Sequence, residues 1–74
     1  MNVLLFGVLT DVTGKSKLEL KANDIDSLKE ILLKQFPDLS KYKFQFAVNK
    51  EKVDTNVLLN DADEIALLPP YAGG

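Results

Sequence analysis

Residues 23–38 read NDIDSLKEILLKQFPD, the one stretch whose apolar residues recur at helical rather than strand spacing. Leu28, Ile31, Leu32 and Leu33 with Phe36 form an apolar stripe, while Lys29, Glu30 and Lys34 face out. Asp24 or Asp26 is placed to cap the first turn, Ser27 and Glu30 offer a second capping box, and Pro37 stops the helix. A lone amphipathic helix must bury its stripe against another element, and the rest of the chain offers only strands.

Those strands are marked by branched and aromatic runs between turn formers. The first is Val3 to Leu9. Asp11, Thr13 and Gly14 then read as a hairpin connection to a half-buried partner around Lys17 to Lys21. After the helix, Phe44 to Val48 alternates again and "NKEK" turns. A loosely structured "DTNVLLNDAD" leads to a final strand, Glu64 to Leu68. The order strand, strand, helix, strand, strand predicts an α+β roll: one helix across a mixed sheet of four or five strands, with the domain at 1–69 and a flexible tail at 70–74.

At 74 residues the domain buries only about 60% of its unfolded surface, and it has no cysteine to staple it. With no histidine either, the usual general base, the commonest zinc ligand and any Ser/His/Asp arrangement are missing, leaving carboxylates, lysines and hydroxyls. All nine basic residues are lysine and the net charge is −2, which does not fit a nucleic-acid binder. The opening "MNVLLFGVLT" lacks a positive n-region and a cleavage site and is too short to span a bilayer, so no membrane association and a cytoplasmic location are expected.

The first strand is apolar on both faces. Val3, Leu5 and Leu9 lie on one; Leu4, Phe6 and Val8 lie on the other. In the last strand Ile65 and Leu67 are likewise opposed by Ala66 and Leu68. One helix covers one face, so Leu4, Phe6, Val8 and Leu68 are left as a docking surface for another protein. The alternatives are that loops 38–43 and 54–62 fold over that face, or that the chain self-associates.

The chain ends LLPPYAGG. Pro69 and Pro70 cannot continue the sheet ladder and launch the chain outward as a stiff segment. From Pro70 to Gly74 it reaches on the order of 17 Å, enough to enter a neighbour's cleft. Gly73 and Gly74, lacking Cβ, suit a narrow channel. The reactive group is then the Gly74 α-carboxylate. Its reference pKa of about 3.3–3.7 leaves it ionised and a poor electrophile, so acyl chemistry requires activation such as adenylation by another enzyme. A sulfur nucleophile displacing the adenylate would leave a C-terminal thiocarboxylate.

Over essentially its whole length the chain resembles the small subunit of molybdopterin synthase, a β-grasp, ubiquitin-like sulfur carrier. The resemblance is carried by the opening "VLLFG" with Gly14 closing the next turn, the helix near "DSLKEIL", and "AVN" at Ala47 to Asn49. The "DADEIALLPP" stretch and the terminal Gly-Gly complete it. The Pro-Pro before the tail is more like the molybdopterin carrier than the thiamine-pathway sulfur carrier.

The resemblance implies that Gly74 is adenylated by an E1-like enzyme using ATP, with no cofactor bound to the chain itself, and is converted to the thiocarboxylate. It further implies that Gly73, Ala72, Tyr71 and Pro70 insert into the large catalytic subunit, where sulfur passes to cyclic pyranopterin monophosphate. Phe6, Leu68 and Leu4 then belong to the interface with that subunit, in an assembly of two small and two large subunits. The chain would not be catalytic alone.

Two positions depart from the family pattern. Thr10 stands where the family often has arginine, so a polar interface contact is lost or replaced. Ala62 replaces a turn glycine, and alanine disfavours positive φ, so that turn is expected to differ in detail.

Asp61, Asp63 and Glu64 lack the glycine and distal glutamate of a calcium loop and read as an acidic turn, with no metal assigned. Lys50, Glu51 and Lys52 read as solvated turn charge. Tyr71 either anchors in a partner's pocket or packs back on the domain. Two other functions compete with the sulfur carrier. One is a thiamine-type carrier or a ubiquitin-like modifier conjugated through Gly74; the other is a β-grasp interaction domain with an inert tail.

Overall fold

A computed structural model describes residues 1–69. Strand β1, Asn2–Leu5, is shorter than the apolar run that suggested Val3 to Leu9. The chain breaks at Gly7, whose backbone at φ 58 and ψ −136 is open to glycine and hostile to a side chain. Residues Val8–Thr13 then coil into helix α1, closed by Gly14 in the left-handed conformation at φ 73, so the sequence holds a second helix beside the expected one. Thr10 Oγ1 donates to the Gly7 carbonyl at 2.8 Å and Thr13 Oγ1 to the Leu9 carbonyl at 3.0 Å.

The Asp11–Gly14 hairpin is therefore replaced by a helical connection, although β1 and its successor still pair antiparallel. Val8, Leu9 and Val12 satisfy both strand and helix periods in so short a run. Helical geometry turns Leu9 wholly into the core and packs Val8 and Val12 against it.

Strand β2 spans Lys17–Glu19 and contributes Leu18 to the core. Helix α2, Ile25–Gln35, starts where expected: Asp24 Oδ1 accepts the Ser27 backbone N–H at 2.8 Å, and the helix ends before Pro37. Its buried residues are Ile25, Leu28 and Leu32. Leu33 and Phe36 pack partly, and Ile31 is half-buried without joining the core. Pro37–Lys41 form a 3₁₀ turn that drives Leu39 fully into the core.

Strand β3 is Gln45–Val48, β4 is Glu51–Val53 and β5 is Glu64–Leu68. What read as an "NKEK" turn is a two-residue hairpin at Asn49 and Lys50, both with positive φ, followed at once by β4. The five strands form one sheet in the order β2-β1-β5-β3-β4, with β1 and β5 parallel and the other pairs antiparallel.

The core lies on one side of this sheet. Val3, Leu5, Ile65, Leu67 and Phe46 meet Leu28 and Leu32 of α2, Leu9 of α1, Leu39, and Leu59 from the connection before β5. No helix among the described residues is long and apolar enough to cross a membrane.

Candidate interface on the open face of the sheet

Strand alternation sends the other residues of the sheet to the face opposite α2. Cross-strand register then builds that face row by row. In the middle row Lys17 of β2 pairs with Leu4, Leu4 with Ala66, Ala66 with Ala47, and Ala47 with Lys52 of β4. Leu68 lies beyond Ala66 and pairs with Gln45, and Phe6 follows Leu4 as β1 ends. At the opposite end Asn2 stands between Glu19 and Glu64.

Leu4, Ala66 and Leu68 are half-buried and Phe6 is 45% exposed, and none of them packs on the core. The three residues expected at a partner interface, Phe6, Leu68 and Leu4, are thus neighbours on one surface. Val8 is not among them, because α1 carries it into the core side. Ala47, which adds to the same stripe, was missed: an alanine in an alternating run carries little signal until register sets it beside Ala66.

The two loops that might have covered this face do not. Leu39 and Tyr42 from one, and Val57 and Leu59 from the other, join the core on the helix side. The second loop is tied there by the Ile25 N–H to the Val57 carbonyl at 3.1 Å and the Leu59 N–H to the Asn23 carbonyl at 2.8 Å. Asn56 Oδ1 adds a bond from the Asp26 N–H at 2.9 Å. Leu58, 84% exposed, is the loop's one large apolar residue turned to solvent.

The start of β5 is held by a polar network. Asp63 accepts from the Asn60 backbone N–H and the Asn49 amide, and these bonds hold its carboxyl below the usual carboxylate range. Ala62 does not adopt positive φ, and its N–H reaches Asn60 Oδ1 at 3.2 Å, so the turn closes without the family's glycine. At the other end of β5, Leu68 is followed by a buried Pro69. Pro70, Tyr71, Ala72, Gly73 and Gly74, the expected inserting and reacting residues, lie outside the described residues.

A separate open groove of about 520 Å³ runs between the start of α2 and the β3–β4 hairpin. Phe44 and Phe46 stack edge to face there at 5.6 Å between ring centres. Its walls mix Asp26 and Asp54 with Lys29 and Lys52, which favours neither sign of ligand.

Set beside known proteins, residues 3–74 match the ThiS family. The molybdopterin synthase sulfur carrier subunit of Mycobacterium tuberculosis is 32% identical over 80 residues, covering 100% of this chain and 96% of that protein. The fold is similar to small archaeal modifier protein 1 from Methanosarcina acetivorans, with TM-score 0.82 and 25% identity over 99% of this chain and 94% of the other. It is also similar to a chain in the complex of subunits 1 and 2 of molybdopterin-converting factor from Helicobacter pylori. There the TM-score is 0.74 and the identity 33%, over 99% of this chain and 96% of the other. The α+β roll is thus the ubiquitin-like β-grasp fold.

Proposed function

The chain belongs to the ThiS family, and from that premise we propose that it is the sulfur carrier subunit of a molybdopterin synthase, not catalytic alone. The observation that carries this reading is the continuity of the open apolar face with the root of the tail. Leu68 ends β5 just before Pro69, with Phe6 beside it and Leu4 across from Ala66, so a protein docked on them is positioned to receive residues 70–74. The likeness to a subunit 1–subunit 2 complex of molybdopterin-converting factor supports a large subunit as that protein.

In this reading an E1-like enzyme joins the Gly74 carboxylate to AMP, releasing pyrophosphate from ATP. A sulfur nucleophile then displaces AMP and leaves Gly74 as a thiocarboxylate. Gly73, Ala72, Tyr71 and Pro70 thread into the large subunit, where the sulfur passes to cyclic pyranopterin monophosphate in an assembly of two small and two large subunits. The small subunit contributes a delivery surface and its own end; the large subunit supplies the catalytic groups.

Intact mass after incubation with the activating enzyme, ATP and a sulfur source tests the proposal. A rise equal to oxygen replaced by sulfur is expected, and the same chain lacking Gly74 should show none. A competent enzyme that leaves the mass unchanged would sink it. The likeness to a small archaeal modifier favours a second reading, conjugation of Gly74 to lysines of other proteins. That reading predicts a ladder of heavier species on a denaturing gel, which the carrier does not.

A further inference from the structure

Strand β2 is an edge of the sheet, and its hydrogen-bonding phase decides what that edge offers. Met1 and Leu20 bond in both directions, N–H to carbonyl, at 2.9 and 3.1 Å, and the Leu5 N–H reaches the Ser16 carbonyl at 2.9 Å. Antiparallel alternation then turns the backbone groups of Ser16, Leu18 and Leu20 toward β1 and those of Lys17 and Glu19 away from it. Among the described residues no strand pairs with that outer side. An edge of this kind is a template for a further strand.

Phase and charge are self-complementary here. A second copy of β2 laid antiparallel, Leu18 against Leu18, sets Lys17 opposite Glu19 of the second copy and Glu19 opposite Lys17 of the second copy. Those are the two residues whose N–H and carbonyl groups face outward, so each pair can exchange two backbone bonds and also brings opposite charges together. Lys17 and Glu19 are both exposed, and Glu19 is held only at 3.7 Å by the Met1 ammonium, which leaves it room for a second cation. The pairing ends by itself, because the Lys15 N–H turns back to Thr13 Oγ1 at 3.2 Å. Strand β4, the other edge, lacks this symmetry: its hairpin phase turns Lys52 outward, and a symmetric pairing over its three residues would set lysine against lysine.

We infer that the free chain pairs with a second copy of itself through β2, forming one ten-stranded sheet about a two-fold axis perpendicular to it. Residues directly opposite in an antiparallel pair point to the same face, so the two open faces lie on one side and both α2 helices on the other. Phe6, Leu4 and Leu68 stay uncovered in each copy. An edge of three residues buries far less than a stable interface needs, so the pair is weak and exchanges rapidly. The inference is independent of the sulfur-carrier reading.

Dilution of the full chain from roughly 2 mM to 0.05 mM, followed by backbone NMR and sedimentation equilibrium, tests it. The amides of Lys17 and Glu19 should move with concentration while that of Lys52 stays, and the average mass should rise above that of one chain. Lys17→Glu and Glu19→Lys should each weaken self-association roughly tenfold or more, since each sets like charges together twice. An equimolar mixture of the two should pair, and K17E/E19K, which has the parent's net charge, should self-associate as the parent does. Thermal melts establish that each variant is folded. A parent that stays monomeric at the highest concentration would overturn the inference and leave the edge to a strand of another protein. Shifts centred on β4, or a K17E/E19K chain that is folded and does not pair, would also overturn it.

Discussion

Asn49 and Asp63, fourteen residues apart, lock the β3–β4 hairpin to the turn that starts β5: Asn49 Nδ2 donates to Asp63 Oδ1 at 3.0 Å. The same side chain accepts the Glu64 N–H on Oδ1 at 3.0 Å, and its own N–H reaches the Glu64 carbonyl at 2.8 Å. Asn49 holds φ 51, a conformation asparagine tolerates better than most residues. Asn49→Ala should cost about 1–2 kcal/mol through lost bonds and backbone strain, lowering the melting temperature by roughly 5–15 °C. A thermal melt that does not move would show the network to be incidental.

Lys50 follows at φ 72, in the second position of a two-residue hairpin, where glycine is preferred. Lys50→Gly should therefore stabilise the domain by about 0.5–1 kcal/mol, although most substitutions to glycine destabilise. Chemical denaturation should show a higher midpoint at unchanged slope; a lower midpoint would contradict the assigned turn.

Leu32 is fully buried among core residues, whereas Ile31, on the same helix, stays outside the core. Leu32→Ala should cost about 2–5 kcal/mol, a large part of the stability of so small a domain. Ile31→Ala should cost about 1 kcal/mol or less. Equal losses in urea titration would contradict the packing.

Asp24 and Asp63 both have folded-state pKa values below the ordinary one. For Asp24 the causes are hydrogen bonds from Ser27, hydroxyl first and then backbone N–H, and from the Asn56 amide. A carboxyl depressed on folding stabilises the fold above its unfolded pKa, about 3.9, and that contribution fades as pH falls through the lower folded value. Melting temperature should therefore hold from neutral pH to about 5 and drop below about 4. Asp24→Asn, which keeps a capping oxygen, should flatten part of that drop in melts taken across pH.

Phe6 is 45% exposed and outside the core, so its charge can be changed without unfolding the chain. Phe6→Asp should weaken binding to the large subunit by roughly 30-fold or more, about 2 kcal/mol, with little change in melting temperature. Calorimetric titration showing parental affinity would remove Phe6 from the interface.

Much of the fold was legible where one period dominated. Asp24, Pro37 and the stripe through Leu28 and Leu32 marked α2, and Glu64 to Leu68 marked β5. Val8 to Thr13 was not, because its apolar spacing fits both a strand and a single helical turn; only Gly7, read as part of a strand, carried the break. Strand β4 was hidden because an exposed edge strand of three residues bears charge instead of an apolar pattern. At the site, Phe6, Leu4 and Leu68 were found by alternation. Lys17 and Ala47 needed cross-strand register, which is a property of pairs of segments and is written in no single one.

Strand β5 comes last in sequence yet lies between β1 and β3. A ribosome finishing this chain has therefore made both flanking hairpin halves before the piece that joins them exists, and the β1–β5 pairing closes only after synthesis has passed Leu68. A product cut short before that point would leave Val3, Leu5 and Phe46 without their central neighbour and be open to proteases. Placing β5 in the middle thus leaves the two halves of the sheet as separate pieces until that strand is inserted between them.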